Sequence, residues 1–182
     1  MTGPATPPGP SLAFRPMAEA DLPMVGAWLC APHTQPWWTY VTDYPEVLQA
    51  VRGEVAVEPW ILLVDGLDAG YFQTYDVEYD EPYAAACATV GVGPGTAGMD
   101  YLIGEPELIG GGIGTRAIAT FVAEVVFGRA PWIAVCAGPD PANAASIRVL
   151  EKNGFRFAGV IDTEWGPEHL MVLTRDDWAI RG

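Results

Sequence analysis

The sequence predicts an α/β fold, of the α+β type, in which about four helices flank a mixed central sheet of about six to seven strands. Half of the 182 residues are apolar, which is enough for one domain with a substantial core. Apolar runs of strand length also alternate along the chain with segments of helical periodicity. A glycine-rich turn at 110–114 joins one predicted strand to a long predicted helix.

Short apolar runs in the N-terminal half predict three strands and two helices. The predicted elements are a strand at 12–17, a helix within 18–31, a loop and a second helix within 33–54, and a hairpin within 57–79. Pro23 is compatible with the first turn of the first helix. The four residues from Asp65 to Asp68 are typical of a hairpin turn. The stretch that follows, up to about Pro94, is predicted to be a polar loop.

The C-terminal half predicts a regular alternation of strands and helices. The predicted elements are a strand at 97–104, a helix at 112–128, a buried strand at 132–137, a helix at 141–154 and an antiparallel pair at 155–162 and 169–175. Gly128 and Gly154 are expected to end the two helices, since glycine readily adopts the conformation that follows a helix.

Composition indicates a single domain at 12–182, preceded by a flexible N-terminal tail at 1–11 that is rich in proline and glycine. The formal charge of -14 repels nucleic acid and anionic lipid and attracts a cationic partner. With no apolar run of membrane-spanning length and no signal peptide, we expect a cytoplasmic protein that does not bind membranes. The three cysteines show no CxxC spacing, which predicts buried thiols and no metal site.

Four glycines at 110–114 raise the question of what lies against this turn. A strand-to-helix junction leaves amide N–H groups unpaired at the positive end of a helix, which favours an anion. The turn lacks the Gly-Lys-Ser/Thr of a P-loop, and Thr115 stands where a dinucleotide fingerprint has its third glycine. On this segment alone, a phosphate site and a glycine turn without a ligand are both consistent with the sequence.

The turn resembles the acetyl-coenzyme A signature of the GNAT acetyltransferase superfamily, Q/R-x-x-G-x-G/A. The matching run is 109–114, with Ile109 in place of the usual glutamine or arginine. Downstream, PDPANAASIRVLEKNGF resembles the helix that flanks the pantetheine arm, with Asn143 as the position that often meets the cofactor. The resemblance therefore implies a GNAT fold and acetyl-coenzyme A as cofactor. The implied cofactor-binding residues are Leu102, Ile103, Ile109, Gly110, Gly111, Gly112, Ile113, Gly114, Thr115, Asn143 and Ser146.

Within that superfamily the chain is most similar to the aminoglycoside 6′-N-acetyltransferases, in segments spread from Phe14 to Arg175. The match implies an acyltransferase acting on an aminoglycoside, with the 6′ amino group favoured over the 2′. The similar siderophore-lysine acyltransferases tend to carry histidine where this chain has Asp100. The alternatives are acylation of another amine, such as a siderophore hydroxylysine, a polyamine or a protein N-terminus, and an acyl-coenzyme A sensor without activity.

Asp100 is the predicted catalytic base. An aliphatic amine, with a pKa of ~10.4, is mostly protonated at neutral pH, and only its free base can attack a thioester. A carboxylate can hold the ammonium and then take its proton. We expect burial or neighbouring acids such as Asp76 or Glu164 to raise the pKa of Asp100, and a main-chain N–H near Leu102 to stabilise the oxyanion.

The general acid is the part of the pattern that departs from the family. Leu170 stands where many relatives have a tyrosine, which leaves Tyr101, His169 or water to protonate the thiolate.

Aromatic and acidic residues predict the substrate site. Acidic groups pair with the amines of a polycationic sugar, and aromatic faces pack on its rings. The predicted substrate-binding residues are Trp37, Trp38, Gln73, Tyr75, Asp76, Glu78, Asp100 and Glu164. The predicted partner is thus a cationic small molecule, and the protein is expected to be a monomer or homodimer.

Overall fold

One mixed sheet of seven strands organises the part of the chain that the computed structural model describes, residues 9–181. The strands are β1 (Leu12–Pro16), β2 (Val57–Val64), β3 (Leu67–Asp76), β4 (Thr96–Ile103), β5 (Ala134–Ala137), β6 (Arg156–Thr163) and β7 (Gly166–Thr174). Their order across the sheet is β1-β2-β3-β4-β5-β7-β6, and every neighbouring pair is antiparallel except β4 and β5. The predicted mixed sheet is confirmed, with a strand number at the top of the expected range.

Six helices lie among the described residues, two more than expected. They are α1 (Leu22–Leu29), α2 (Tyr40–Val51), α3 (Glu81–Ala88), α4 (Ile113–Phe121), α5 (Ala144–Lys152) and α6 (Arg175–Arg181). Helix α4 continues through a π-helical turn, Val122–Val126, and ends with a last turn, Phe127–Arg129. None of the helices within 9–181 combines the length and the apolar character that crossing a bilayer requires.

Helix α3 corrects the prediction of a polar loop up to Pro94. The Asp80 carboxylate accepts a hydrogen bond from the Tyr83 N–H at 2.8 Å and caps the helix, with Pro82 in the first turn. A run of alanines then supplies helix propensity without apolar periodicity, so the usual helix signal is missing. The other additional helix, α6, is short and buries no residue.

Apolar clusters cover both faces of the sheet. The largest one packs α4 and its π-helical turn on Phe72 and Met99. The opposite face carries a cluster around Tyr71 that includes residues of α1 and α2, and a second around Cys136 that includes residues of α3. Because side chains alternate along a strand, Asp100 lies on the face of Tyr71 and not on that of Met99.

The predicted tail at 1–11 falls mostly outside the described residues, and the division into tail and domain stays a prediction. Among the cysteines, Cys87 and Cys136 are buried as expected, whereas Cys30 is exposed at the end of α1, which corrects that prediction.

Candidate active site

Asp100 lies just beyond the point where the sheet opens. The parallel pairing of β4 with β5 ends at Gly98 and Cys136, so the rest of β4 is paired with β3 alone. Asp100 comes two positions after Gly98 and is paired with Gln73 of β3. Its side chain is partly exposed. A molecule at the open edge of β4 can therefore reach this carboxylate.

A chain of hydrogen bonds orients the Asp100 carboxylate. The Tyr71 hydroxyl donates to Gln73 Oε1 at 2.6 Å, and Gln73 Nε2 donates to Asp100 Oδ2 at 2.8 Å. Tyr75 hydrogen-bonds Asp100 as well, and its ring lies against Gly98, where an added Cβ would come within 2.2 Å of Cε2. These neutral partners hold the carboxylate in place without an ion pair.

The pKa of Asp100 is raised above its ordinary value. Burial is the main cause, because it penalises the charged form, and the hydrogen bonds from Gln73 and Tyr75 act in the opposite direction. The negative charge of Asp43 raises the pKa further. The contributing acid is thus Asp43 on α2, and not Asp76 or Glu164 as expected from the sequence.

Asp100 and four other carboxylates, from three other parts of the chain, interact electrostatically, and we call these five the acidic pocket. They are Asp43 and Glu46 of α2, Asp100 of β4, Glu164 between β6 and β7, and Glu168 of β7. Burial followed by the charges of Asp43 and Asp100 raises the pKa of Glu46 to about 7. Burial followed by the charge of Asp100 raises the pKa of Glu168 to about 7.

No cation of the described part of the chain forms a salt bridge with the acidic pocket. The four salt bridges among residues 9–181 join Arg15 to Asp21 and Asp68, Arg52 to Glu19, and Arg156 to Asp177. Like charges held close together without a partner attract a cationic ligand. The described residues also contain no arrangement suited to a metal ion.

Aromatic rings form one wall beside the acidic pocket. Tyr75 contacts Tyr79 and Tyr83 with ring centroids 5.6 and 6.2 Å apart, and Tyr83 lies 6.5 Å from Trp165. Trp38 packs edge-on against Tyr71 at 6.1 Å. Such rings can pack on a sugar and make cation–π contacts with its amines.

The structure brings together only some of the predicted substrate residues. Gln73 and Tyr75 contact Asp100. Trp38 packs on the ring of Tyr71, whose hydroxyl donates to Gln73. Glu164 belongs to the acidic pocket.

For the other predicted substrate residues, the described part of the chain shows no hydrogen bond to Asp100. Asp76 follows Tyr75 on β3 and thus points to the other face, where its carboxylate accepts the Glu78 N–H at 3.0 Å and caps a short turn. Glu78 and Trp37 are exposed.

The glycine-rich turn lies at the start of α4, on the opposite face of the sheet. Gly110 and Gly112 adopt left-handed conformations, with φ of +83° and +84°, which explains the need for glycine. A Cβ added to Gly110, Gly111 or Gly112 would meet nothing within 4 Å, and no side chain caps α4. The first amides of the helix are therefore open toward a ligand, as an anion site requires.

Around this turn, Ile109 and Gly114 are partly or largely exposed, whereas Ile113 is buried in the core. The Thr115 carbonyl accepts a hydrogen bond from Asn153 Nδ2 at 3.0 Å, which ties the start of α4 to the end of α5.

Helix α5 lies next to α4, on the same face of the sheet as the glycine-rich turn. Asn143 caps the helix by accepting the Ser146 N–H at 3.1 Å, and the Ser146 hydroxyl is 2.6 Å from the Tyr101 hydroxyl. Tyr101 is on the opposite face of β4 from Asp100, and burial raises the pKa of its phenol.

On β7, neither Leu170 nor His169 provides a general acid beside Asp100. The Leu170 side chain is fully buried, and the His169 ring packs on Phe157 with centroids 4.8 Å apart.

The open edge of β4 presents main-chain donors. The Gly104 N–H donates to the Ala69 carbonyl of β3 at 2.8 Å. In an antiparallel pair, alternate residues direct their amides to the same neighbour, so Leu102 faces β3 while Tyr101 and Ile103 face the open edge. We therefore expect an oxyanion-binding N–H at Tyr101 or Ile103, and no longer at Leu102.

Comparison with known proteins identifies the family. The acetyltransferase (GNAT) domain matches residues 17–163, which is most of the chain. The chain belongs to the GNAT acetyltransferase family. Among the family's curated members, aminoglycoside N(6′)-acetyltransferase type 1 of Klebsiella pneumoniae is 30% identical over 178 residues, covering 91% of this chain and 84% of that protein. A kanamycin resistance protein of Rhizobium radiobacter is 34% identical over 82 residues, covering 45% of this chain and 75% of its own length.

Solved structures of this GNAT family show the same fold. Aminoglycoside acetyltransferase AAC(6′)-Ib in complex with coenzyme A and kanamycin matches with a TM-score of 0.83 and 30% identity, covering 94% of this chain and 100% of that one. An aminoglycoside N(6′)-acetyltransferase from Legionella pneumophila has a TM-score of 0.78 at 20% identity, over 94% and 96% of the two chains, which is a likeness of fold.

Sequence reasoning missed several members of this GNAT site. Asp43, Glu46 and Glu168 were not predicted, although each belongs to the acidic pocket. Two local signals were available. Asp43 and Glu46 are three residues apart and so share a helix face, and Glu168 shares a strand face with Leu170.

Proposed function

We propose that the chain transfers the acetyl group of acetyl-coenzyme A to an amino group of an aminoglycoside, with the 6′ amino group favoured. The observation that carries this is a carboxylate, Asp100, oriented by Gln73 and Tyr75 in a pocket of acids with which no cation of residues 9–181 forms a salt bridge. The names of the relatives, and the coenzyme A and kanamycin bound to one of them, support the same reaction. We also propose that it acts in the cytoplasm, as a monomer or homodimer.

The glycine-rich turn fits the diphosphate of coenzyme A. Gly110, Gly111 and Gly112 offer main-chain N–H groups with no Cβ in the way and open space in front of them, next to the positive end of α4. Asn143 and Ser146 at the start of α5 are the side chains we expect along the pantetheine arm. When bound, acetyl-coenzyme A supplies the acyl thioester that an amine can attack.

Asp100 then performs the proton chemistry. The carboxylate holds the substrate ammonium by a charge-assisted hydrogen bond and accepts its proton, which leaves the free amine to attack. An ordinary aspartate is a weak base, and the raised pKa of Asp100 brings it closer to the working pH. Gln73 and Tyr75 fix the direction of the carboxylate, and the N–H of Tyr101 or Ile103 is the expected donor to developing negative charge.

The acidic pocket accounts for the choice of a polycationic substrate. A sugar with several ammonium groups can interact with more than one carboxylate at once, and binding relieves the repulsion among the acids. The rings of Tyr75, Tyr83 and Trp165 offer apolar surface to its uncharged faces.

A substrate panel tests the proposal. Thiol release from acetyl-coenzyme A would be measured with kanamycin, gentamicin, kasugamycin, spermidine and lysine, and the acetylated position would be assigned by NMR. We expect turnover with kanamycin and gentamicin and product at the 6′ nitrogen. Turnover with spermidine alone would indicate a polyamine acetyltransferase instead. Tight coenzyme A binding without any turnover would indicate an acyl-coenzyme A sensor, the alternative that is based on Leu170 at the usual tyrosine position.

Replacing Gln73 tests how Asp100 is tuned. The Gln73 hydrogen bond lowers the pKa of Asp100, so Gln73→Leu raises that pKa. Because Asp100 must be ionised to accept a proton, the acidic limb of the pH–rate profile should move to higher pH. We expect kcat/KM at pH 7 to fall by about tenfold, which corresponds to the loss of one hydrogen bond to a charged group.

A matched control is Gln49→Leu, the same change at an exposed position of α2. Its pH profile should equal that of the wild type. A Gln73→Leu profile that keeps its acidic limb in place would show that this hydrogen bond does not tune the base.

A further inference from the structure

The Glu168 carboxylate lies where only a glycine at position 138 leaves room for it. A Cβ added to Gly138 would lie 1.8 Å from Glu168 Oε2, so the carboxylate rests directly on the main chain at Gly138. The Thr163 hydroxyl donates to the other oxygen, Oε1, at 3.0 Å. Tyr83 hydrogen-bonds this carboxylate too. Three neutral contacts thus hold an acidic group that no cation of the described residues pairs with.

Its position relative to Asp100 follows from the register of the sheet. Gly98 of β4 and Cys136 of β5 are paired, and they are the last such pair before the strands part. Asp100 comes two positions after Gly98, and Gly138 two positions after Cys136, so both lie on the same face at opposite sides of the opening. Glu168 on Gly138 therefore stands across the opening from Asp100.

We propose that Glu168 is a second substrate-contacting carboxylate, which binds another ammonium group of the same polyamine sugar while Asp100 takes the proton of the reacting amine. This inference rests on the proposed function. It assigns Glu168 a role in substrate affinity and in the choice of substrates with at least two amino groups. It also makes Gly138 a specificity position, because any side chain there displaces the carboxylate.

The groups around Glu168 make proton uptake and release a sensitive readout. Asp100 raises the pKa of Glu168 through its charge, while the hydrogen bonds of Thr163 and Tyr83 lower it. The other titratable groups that interact with it are Tyr75, Cys87 and Cys136. With a pKa of about 7, Glu168 is about half-protonated at pH 7. A bound ammonium stabilises the charged form and should release that proton.

The test compares Glu168→Gln with Asp162→Asn, the same type of change at an exposed acid of β6 on the same hairpin, outside the acidic pocket. For kanamycin acetylation we expect Glu168→Gln to raise KM at least tenfold and to change kcat by less than about threefold. Calorimetry of kanamycin binding to the coenzyme A-saturated enzyme, in two buffers of different ionisation enthalpy, should show about half a proton less released at pH 7. Asp162→Asn should change KM by about twofold or less and leave the proton count unchanged, as expected for an exposed charge outside the pocket.

A second variant separates position from charge. Gly138→Ala keeps the carboxylate but puts a methyl group where the carboxylate lies and so displaces it. We therefore expect it to raise KM as Glu168→Gln does. The double variant should show no additional loss, since both changes break the same contact.

The melting temperature checks folding. The raised pKa of Glu168 disfavours its charge in the folded state, and this cost in stability appears as pH rises from 4.5 to about 7. Glu168→Gln should therefore melt higher than the wild type at pH 8 and like it near pH 4.5.

The outcomes are distinct from those of the proposed function. A wild type that acetylates no aminoglycoside overturns the proposed function. A wild type that acetylates kanamycin, with KM and proton release unchanged in Glu168→Gln, overturns this inference alone. Additive effects of Gly138→Ala and Glu168→Gln would also overturn it.

Discussion

Asp100→Asn is expected to lower kcat/KM for aminoglycoside acetylation by about 10²- to 10⁴-fold at neutral pH, the range that a positioned general base supplies. The substitution keeps the size and the hydrogen-bonding shape of the side chain, and the amide oxygen can still accept from Gln73. Only the ability to take a proton is lost. Affinity for coenzyme A should stay unchanged, because the glycine-rich turn lies on the other face of the sheet. Steady-state kinetics and calorimetry with coenzyme A check the two halves of this expectation.

The pH profile of the Asp100 variant carries the mechanistic information. Wild-type activity should be present above the pKa of Asp100 and be lost as pH falls through it, and this limb should be missing in Asp100→Asn. Asp76→Asn is a matched control, because the same change is made one strand away at a carboxylate that caps a turn. We expect it to leave kcat/KM within about twofold, as for a surface substitution. Near-normal turnover by Asp100→Asn would remove Asp100 from its role as base.

Gly112→Ala is expected to weaken coenzyme A binding at least tenfold. The φ of +84° at Gly112 is strained for any residue with a Cβ, at a cost of about 1–2 kcal/mol. If the backbone relaxes to relieve that strain, the amides at the start of α4 turn away from the diphosphate. If it does not relax, the new methyl group stands at the mouth of the anion site. Calorimetry with coenzyme A measures the affinity, and thermal unfolding measures the strain.

Gly91→Ala separates the strain from the binding effect. Gly91 has a φ of +81°, is exposed, and has no atom within 4 Å of an added Cβ, as at Gly112. It follows α3 on the opposite face of the sheet. Both variants should lose similar stability, whereas Gly91→Ala should bind coenzyme A like the wild type. Equal coenzyme A affinity in the two variants would show that the amides at Gly112 do not hold the diphosphate.

Local patterns were enough to predict most of the fold. Apolar runs of strand length identified β1 to β7, because each strand buries one or both of its faces in a core and must show that in its composition. Helix α3 was not predicted, because its alanines have helix propensity but no apolar periodicity. Its start depends on a cap from Asp80, which in the sequence looks like any polar residue of a loop.

The predicted substrate residues do not all lie beside Asp100 in the structure. Asp76 and Glu78 follow Tyr75 directly and so looked like members of one acidic loop. In the structure the strand ends there, and Asp76 caps a turn on the other face. The acids that surround Asp100 come instead from α2 and β7, which are distant from β4 along the chain.

The sequence by itself was enough to predict the family, the glycine-rich turn and the proposed base, because each depends on a short segment. The turn needs a backbone that reaches left-handed conformations at Gly110 and Gly112, and the proposed base is a carboxylate on the strand that precedes it. Only the tertiary structure brings Glu168, Glu46 and Asp43 close to Asp100. Their proximity to Asp100 arises from the order of strands and the packing of α2 on the sheet. Local spacing shows which residues share a face of a helix or strand, but it does not show which faces meet in the folded chain. Electrostatic interaction depends on distance in space, so the pKa values that set the chemistry belong to the folded molecule.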